Sequence, residues 1–176
     1  MILPPRVRKL ALAVHLAMSV GWIGAAGAYV ALAIAAARST DSALIRGAWV
    51  AMELIGWAVL VPASVGTVLT GLVMSLGTSW GLLRHYWVVL SLSLTVIATV
   101  VLVLHMPDVS DLEAQARRAD ASDLEALGSD LSHSTLGLAL LLVILVLNVY
   151  KPRGLTRYGW RRQQEHRAQT RSPAVS

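Results

Sequence analysis

The chain has 176 residues and carries too little charge for an ordinary soluble domain. Hydrophobic residues make up 56% and charged residues 14%, with a mean hydropathy of +0.62, whereas soluble domains have roughly 25% charged residues. The net charge is +5, but the basic residues flank the apolar runs, where they act as topology signals. We therefore expect the lipid bilayer, and no nucleic acid, as a partner. The absence of cysteine excludes disulfides and thiolate metal sites.

Four apolar runs are each long enough to cross a bilayer, which takes about 20 helical residues. They cover about residues 10–37, 43–76, 86–105 and 131–150. The first run is longer than the roughly 7–15 residues of a signal-peptide core, which favours a permanent helix. Pro62 predicts a kink in the second helix, and Pro107 is expected to end the third. The sequence thus predicts an all-α polytopic membrane protein, an up-down bundle of four transmembrane helices.

The basic residues predict the orientation of this bundle. Eleven lie on one side of the predicted membrane: Arg6, Arg8, Lys9, Arg84 and seven in the tail from Lys151 to Arg171. Four lie on the other side: Arg38, Arg46, Arg117 and Arg118. The excess predicts cytoplasmic termini and a bacterial inner-membrane location. Residues 1–151 then form the transmembrane domain, and residues 152–176 form a basic tail that is expected to contact anionic lipid.

The predicted outer loop, residues 107–130, is acidic, with seven acids and two arginines. Ser110 with Glu113, and Ser122 with Glu125, fit the Ser-x-x-Glu pattern of helix starts. One or two short surface helices are therefore expected in this loop.

Small residues predict where the helices approach one another closely, because membrane helices associate through close backbone contact. The first helix carries Gly21, Gly24, Ala25 and Ala28, and the second carries Gly56, Ala63, Gly66 and Gly71. The pattern predicts that both sets lie at helix–helix contacts.

Ionisable residues at membrane depth are costly, so each is a functional hypothesis. Toward the predicted cytoplasmic side are His15, Arg84 and His85. His15 shares a helix face with Trp22 and Tyr29 at seven-residue spacing. Packing and interfacial anchoring are the simpler roles for these polar residues.

Toward the predicted outer side are Glu53, His105 and His133. One carboxylate with two imidazoles has the ligand types for zinc or copper, or for a proton relay. His85 and His105 are twenty residues apart on one helix, or about 30 Å, and cannot share a site. A bis-histidine haem would therefore pair His15 with His85, or His105 with His133. The alternative role for His105 and His133 is that of exposed residues at the loop edges.

The segment Val14–Gly24, VHLAMSVGWIG, resembles the first helix of copper-resistance D-type membrane proteins. It is also similar to that of the haem-containing protoporphyrinogen oxidases of bacterial membranes, in which a histidine precedes Trp-x-Gly or Trp-x-Ala by some seven residues. The segments Trp80–Trp87 and Tyr150–Thr156 resemble uncharacterised actinobacterial four-helix membrane proteins. The resemblance implies haem b or copper, with His15 as a haem ligand.

Three functions follow as hypotheses. The first is a b-type haem protein for redox chemistry or electron transfer, with His15 and His85 as cofactor ligands. The second is an extracytoplasmic metal or proton site at Glu53, His105 and His133, which would serve transport or metal tolerance. The third is a scaffold or accessory subunit without its own chemistry. The sequence identifies no catalytic residue, and it leaves open a homo-oligomer or a partner in a membrane complex.

Overall fold

The computed structural model describes residues 4–77, 85–120, 123–124, 127, 129–152, 154, 156–157, 159–161 and 164. Within these ranges the chain forms no strand and four long helices: α1 (Pro5–Arg38), α2 (Ser42–Gly77), α3 (Tyr86–Arg118) and α4 (Leu131–Tyr150). Each helix is long and apolar enough to span a membrane. The predicted all-α bundle of four membrane helices is therefore confirmed. Arg84, Ser122 and Glu125 lie outside the described residues.

The four helices pack side by side in an up-down order. α1 contacts α2 and α4, and α3 contacts the same two helices. α1 and α3 therefore lie diagonally across the bundle, as do α2 and α4. The α1–α2 connection and the start of α4 lie at the same end of the bundle. We call this end the distal end, because the start of α1 and the end of α4 lie at the opposite end.

Helix α2 contains one π-helical turn, Gly56–Leu60, between two α-helical parts. At its end the Val61 N–H donates to the carbonyl of Gly56, five residues earlier. Pro62 follows directly, and a proline has no N–H and crowds the carbonyl four residues before it. A π turn accommodates such a site within a continuous helix. The irregularity predicted from Pro62 thus takes the form of a π turn.

Helix α3 continues through Pro107 to Arg118, so the prediction that it ends at this proline is wrong. A proline in a helix interior costs roughly 3 kcal/mol, and the packing of the segment beyond it offsets this cost. Val109, Glu113 and Ala116 are buried there. The Ser110–Glu113 pattern therefore lies inside α3 and does not begin a surface helix.

Two side chains of α2 hold this extension of α3 in place. Arg46 Nη2 donates to the carbonyl oxygen of Ala119 at 2.5 Å. Trp57 Nε1 donates to Ser110 Oγ at 3.0 Å. Within the extension itself, Arg117 forms an ion pair with Glu113. The first half of the expected loop is thus a helical segment packed on the first half of α2.

The buried core is concentrated in the distal half of the bundle. Its members include Trp22, Tyr29, Ile45, Trp49, Met52, Met106 and Val109. Many leucine and valine side chains over the rest of the helices are exposed, as expected for surfaces that contact lipid. The seven-residue spacing of Trp22 and Tyr29 therefore marks the side of α1 that faces the core.

The predicted close contact through the small residues of α1 is wrong for Gly21, Gly24 and Ala28, which are exposed. A Cβ added at Gly21 or Gly24 would meet no atom within 4 Å. The physical reason is that Trp22 and Tyr29 occupy the side of α1 that faces the other helices. The glycines of α2 do make close contacts, since Gly66 lies against Met18 and Gly71 against His15.

Candidate metal centre

Asp130 joins three helices at the distal end. It is the residue before α4 and is only 7% exposed. Its Oδ2 accepts a hydrogen bond from the Tyr29 hydroxyl of α1 at 2.8 Å, and its Oδ1 lies 3.0 Å from His105 Nε2 of α3. The carboxylate makes no capping hydrogen bond to the start of α4. The backbone carbonyl of Asp130 accepts from Ser134 Oγ at 2.6 Å.

Two histidine rings stack beside this carboxylate. The centroids of His105 and His133 are 4.4 Å apart, with 23° between the ring planes. His133 lies in the first turn of α4, and its Nδ1 is 3.5 Å from Asp130 Oδ1. The His105 side chain is 20% exposed and that of His133 is 65% exposed. His105 is thus held between helices, while His133 is largely exposed.

The donor atoms of His105, Asp130 and His133 all lie within 4.8 Å of one another. A tetrahedral metal with bonds of about 2.0–2.2 Å needs donors about 3.3 Å apart. The separations of 3.0 and 3.5 Å from Asp130 Oδ1 to the two ring nitrogens bracket this distance. Stacked rings do not direct both lone pairs to one point, so metal binding requires the exposed His133 ring to rotate.

The residues around these donors would orient them. A carboxylate ligand is normally held by a hydrogen bond to its second oxygen, as Tyr29 provides for Asp130. His105 Nδ1 lies 3.8 Å from Asp108 Oδ2. This distance is too long for a hydrogen bond. Metal binding through Nε2 would require the ring proton to be on Nδ1, whereas the hydrogen bond to Asp130 places it on Nε2.

His105 and His133, both predicted as ligands, therefore come together. Among the described residues, Glu53 is not part of any group of side chains that could hold a metal ion. Glu53 lies on α2, diagonally opposite α4. Its place is taken by Asp130, which the sequence reasoning missed. The available signal was the Asp-x-x-His spacing of Asp130 and His133, which puts both on one helical turn.

The other predicted pair, His15 and His85, belongs to two diagonal helices. His15 Nδ1 lies 2.9 Å from Thr70 Oγ1, so this imidazole is bonded to α2. His85 immediately precedes α3, and its ring centroid is 6.4 Å from that of Trp87. The haem assignment to His15 and His85 stays a prediction.

A haem between His105 and His133 does not fit their arrangement. Axial histidines bind haem iron from opposite faces of the macrocycle, whereas these two rings stack directly on one another at 4.4 Å. The stacked pair leaves no space for a porphyrin plane between the rings.

No family model matches the chain, and no curated protein or solved structure shows significant similarity to it. The site offers two imidazole nitrogens and one carboxylate oxygen as donors. This set suits zinc, copper and related divalent transition metals better than calcium or magnesium, which prefer oxygen ligands.

Proposed function

We propose that this membrane protein binds a divalent transition metal of the zinc or copper class at its distal end, for metal transport or metal tolerance. The observation that carries the proposal is the convergence of His105, Asp130 and His133, with the buried carboxylate bonded to Tyr29. Three protein ligands leave a coordination position open. An open position lets a metal exchange, which suits transfer and not a purely structural role.

Orientation is the second part of the proposal. The eleven basic residues on one side of the predicted membrane, against four on the other, favour cytoplasmic termini in a bacterial inner membrane. The metal site would then face the exterior.

Exposed acids at the same end of the bundle, Asp108, Asp120 and Asp123, would raise the local concentration of cations. At the opposite end, exposed Arg157 and Arg161 beside Trp160 suit a surface of anionic lipid.

Calorimetric titration of the detergent-purified, metal-free protein with Zn²⁺ tests the site. We expect near-stoichiometric binding, and an affinity loss of roughly 100-fold or more in Asp130→Asn, beyond the 10–100-fold typical of outer-sphere changes. Asp111→Asn, a change of an exposed carboxylate in the same region, is the matched control and should bind as the parent does. Binding that is indifferent to Asp130→Asn would overturn the proposal.

Glu53→Gln separates this site from the one predicted from the sequence. Because Glu53 is not among the converging donors, we expect its replacement to leave the Zn²⁺ affinity unchanged. A loss comparable to that of Asp130→Asn would restore Glu53 as a ligand.

Haem b, bound through His15 and His85, stays a second proposal that is supported by the resemblance of Val14–Gly24 to haem-containing membrane proteins. Absorption spectra of the purified protein, oxidised and dithionite-reduced, test it. A Soret band with sharp reduced bands that disappear in His15→Ala would support haem binding. A flat visible spectrum from protein expressed with ample haem would retire it.

A further inference from the structure

An apolar cavity of about 250 Å³ lies directly beside the donor cluster, inside the bundle. Its walls come from all four helices, including Trp22 of α1, Leu60 of α2, Ala98 of α3, and Gly137 and Leu141 of α4. His105, Asp130, His133 and Ser134 supply polar groups at its distal end. The cavity is thus apolar along its length and polar at one end.

This cavity communicates with the lipid-facing surface. Two of its lining residues, Val101 of α3 and Leu136 of α4, are 55% and 71% exposed. Gly137 adds open space, because a Cβ placed there would meet no atom within 4 Å. A molecule dissolved in the bilayer therefore has a route between α3 and α4 to the polar groups.

The size and the walls of the cavity define its occupant. An apolar cavity of about 150 Å³ stays dry and binds benzene, and this one is larger. Water finds few hydrogen-bond partners along the apolar walls, whereas a ring or a short alkyl segment fits the apolar part of the cavity. The clustering of polar groups at one end favours a molecule with a single polar head at one end of an apolar body.

We propose that the cavity binds a lipid-soluble molecule with a compact apolar body and a hydroxyl or carbonyl oxygen. It enters from the bilayer between α3 and α4, and its oxygen meets the group formed by His105, Asp130 and His133. With a metal bound, the same oxygen would take the open coordination position, a step that rests on the proposed function. Occupation of the apolar part of the cavity does not require the metal.

Photolabelling of the full-length, metal-free protein with a medium-chain alcohol that carries a diazirine tests this inference. Mass spectrometry would map the labelled residues. We expect labels concentrated on cavity residues such as Trp22 and Leu141. Gly137→Leu should lower the cavity labelling roughly tenfold, equivalent to about 1.4 kcal/mol, because Gly137 lies at the exposed side of the cavity, where a larger side chain would obstruct the opening. Gly47→Leu is the matched control, since Gly47 is exposed on α2 and equally free of neighbours.

Ala98→Leu narrows the same cavity from the α3 wall and should also reduce the labelling, which guards against a folding defect in one variant. Labelling spread evenly over lipid-facing residues, or labelling indifferent to both cavity variants, would overturn the inference. The Zn²⁺ titration fails or succeeds separately, so failure of the metal site and failure of the cavity are distinguishable.

Discussion

Asp130 is the residue on which the distal end depends. A buried carboxylate is costly unless its oxygens are hydrogen-bonded, and here Tyr29 and His105 serve one oxygen each. The three bonded residues belong to α1, α3 and the start of α4, so one side chain links three helices. The same bonds that stabilise the buried carboxylate also orient it toward His133.

Tyr29→Phe tests this role by removing the hydroxyl that donates to Asp130 Oδ2. The change keeps the ring and removes the one hydrogen bond that the described residues make to Asp130 Oδ2, and we expect a loss of about 1–3 kcal/mol in the free energy of unfolding. The Zn²⁺ affinity should fall about 10–100-fold, as for other residues that orient a ligand. Thermal unfolding and calorimetric titration measure the two effects. Tyr150→Phe, at an exposed position, is the control, and equal behaviour of the two variants would contradict the assigned role.

The sequence predicted those site residues whose type is unusual at their position in the chain. His105 and His133 stood out because ionisable residues at membrane depth are costly. Asp130 did not stand out, since it is one of seven acids in residues 107–130 and only the fold buries it. Glu53 drew attention as an acid within an apolar run, yet the position of its helix keeps it away from the cluster.

At the scale of elements, the length of the apolar runs predicted the four helices well, whereas a proline was a poor predictor of where a helix ends. The four runs reappear as α1 to α4 because each is long enough to bury its backbone in lipid. Pro107 was expected to end α3, but the packing of Val109 and Ala116 outweighs the proline. That contact lies between residues far apart in the chain, and no local pattern encodes it.

Val109→Ala tests whether packing maintains the helix beyond Pro107. Val109 is fully buried, and removing two methyl groups there should cost about 2 kcal/mol. The extension should open locally, so we expect several-fold faster trypsin cleavage after Arg117 and Arg118. Val100→Ala, at a half-exposed site in the same helix, is the control. Unchanged cleavage in Val109→Ala would show that this contact does not hold the extension.

The whole molecule decides which distant residues meet, and here the up-down order explains the outcome. α3 and α4 are consecutive, pack against each other and are joined at the distal end, so His105 and His133 lie on adjacent helices near the same end. The pairing of His15 with His85 crosses one diagonal of the bundle, and that of Glu53 with His133 crosses the other. Residue spacing along the chain contains no information on these diagonals.

The orientation of the whole bundle is tested with introduced cysteines, because the chain has none of its own. Thr40, in the connection between α1 and α2, and Gln164, in the tail, are both exposed. In intact cells a membrane-impermeant maleimide should label Thr40→Cys and not Gln164→Cys, since the excess of basic residues retains the tail in the cytoplasm. After permeabilisation both variants should be labelled, which controls for reactivity. The reverse pattern in intact cells would place the His105, Asp130 and His133 group on the cytoplasmic side, where the cell's own metal pool and not the exterior would supply it.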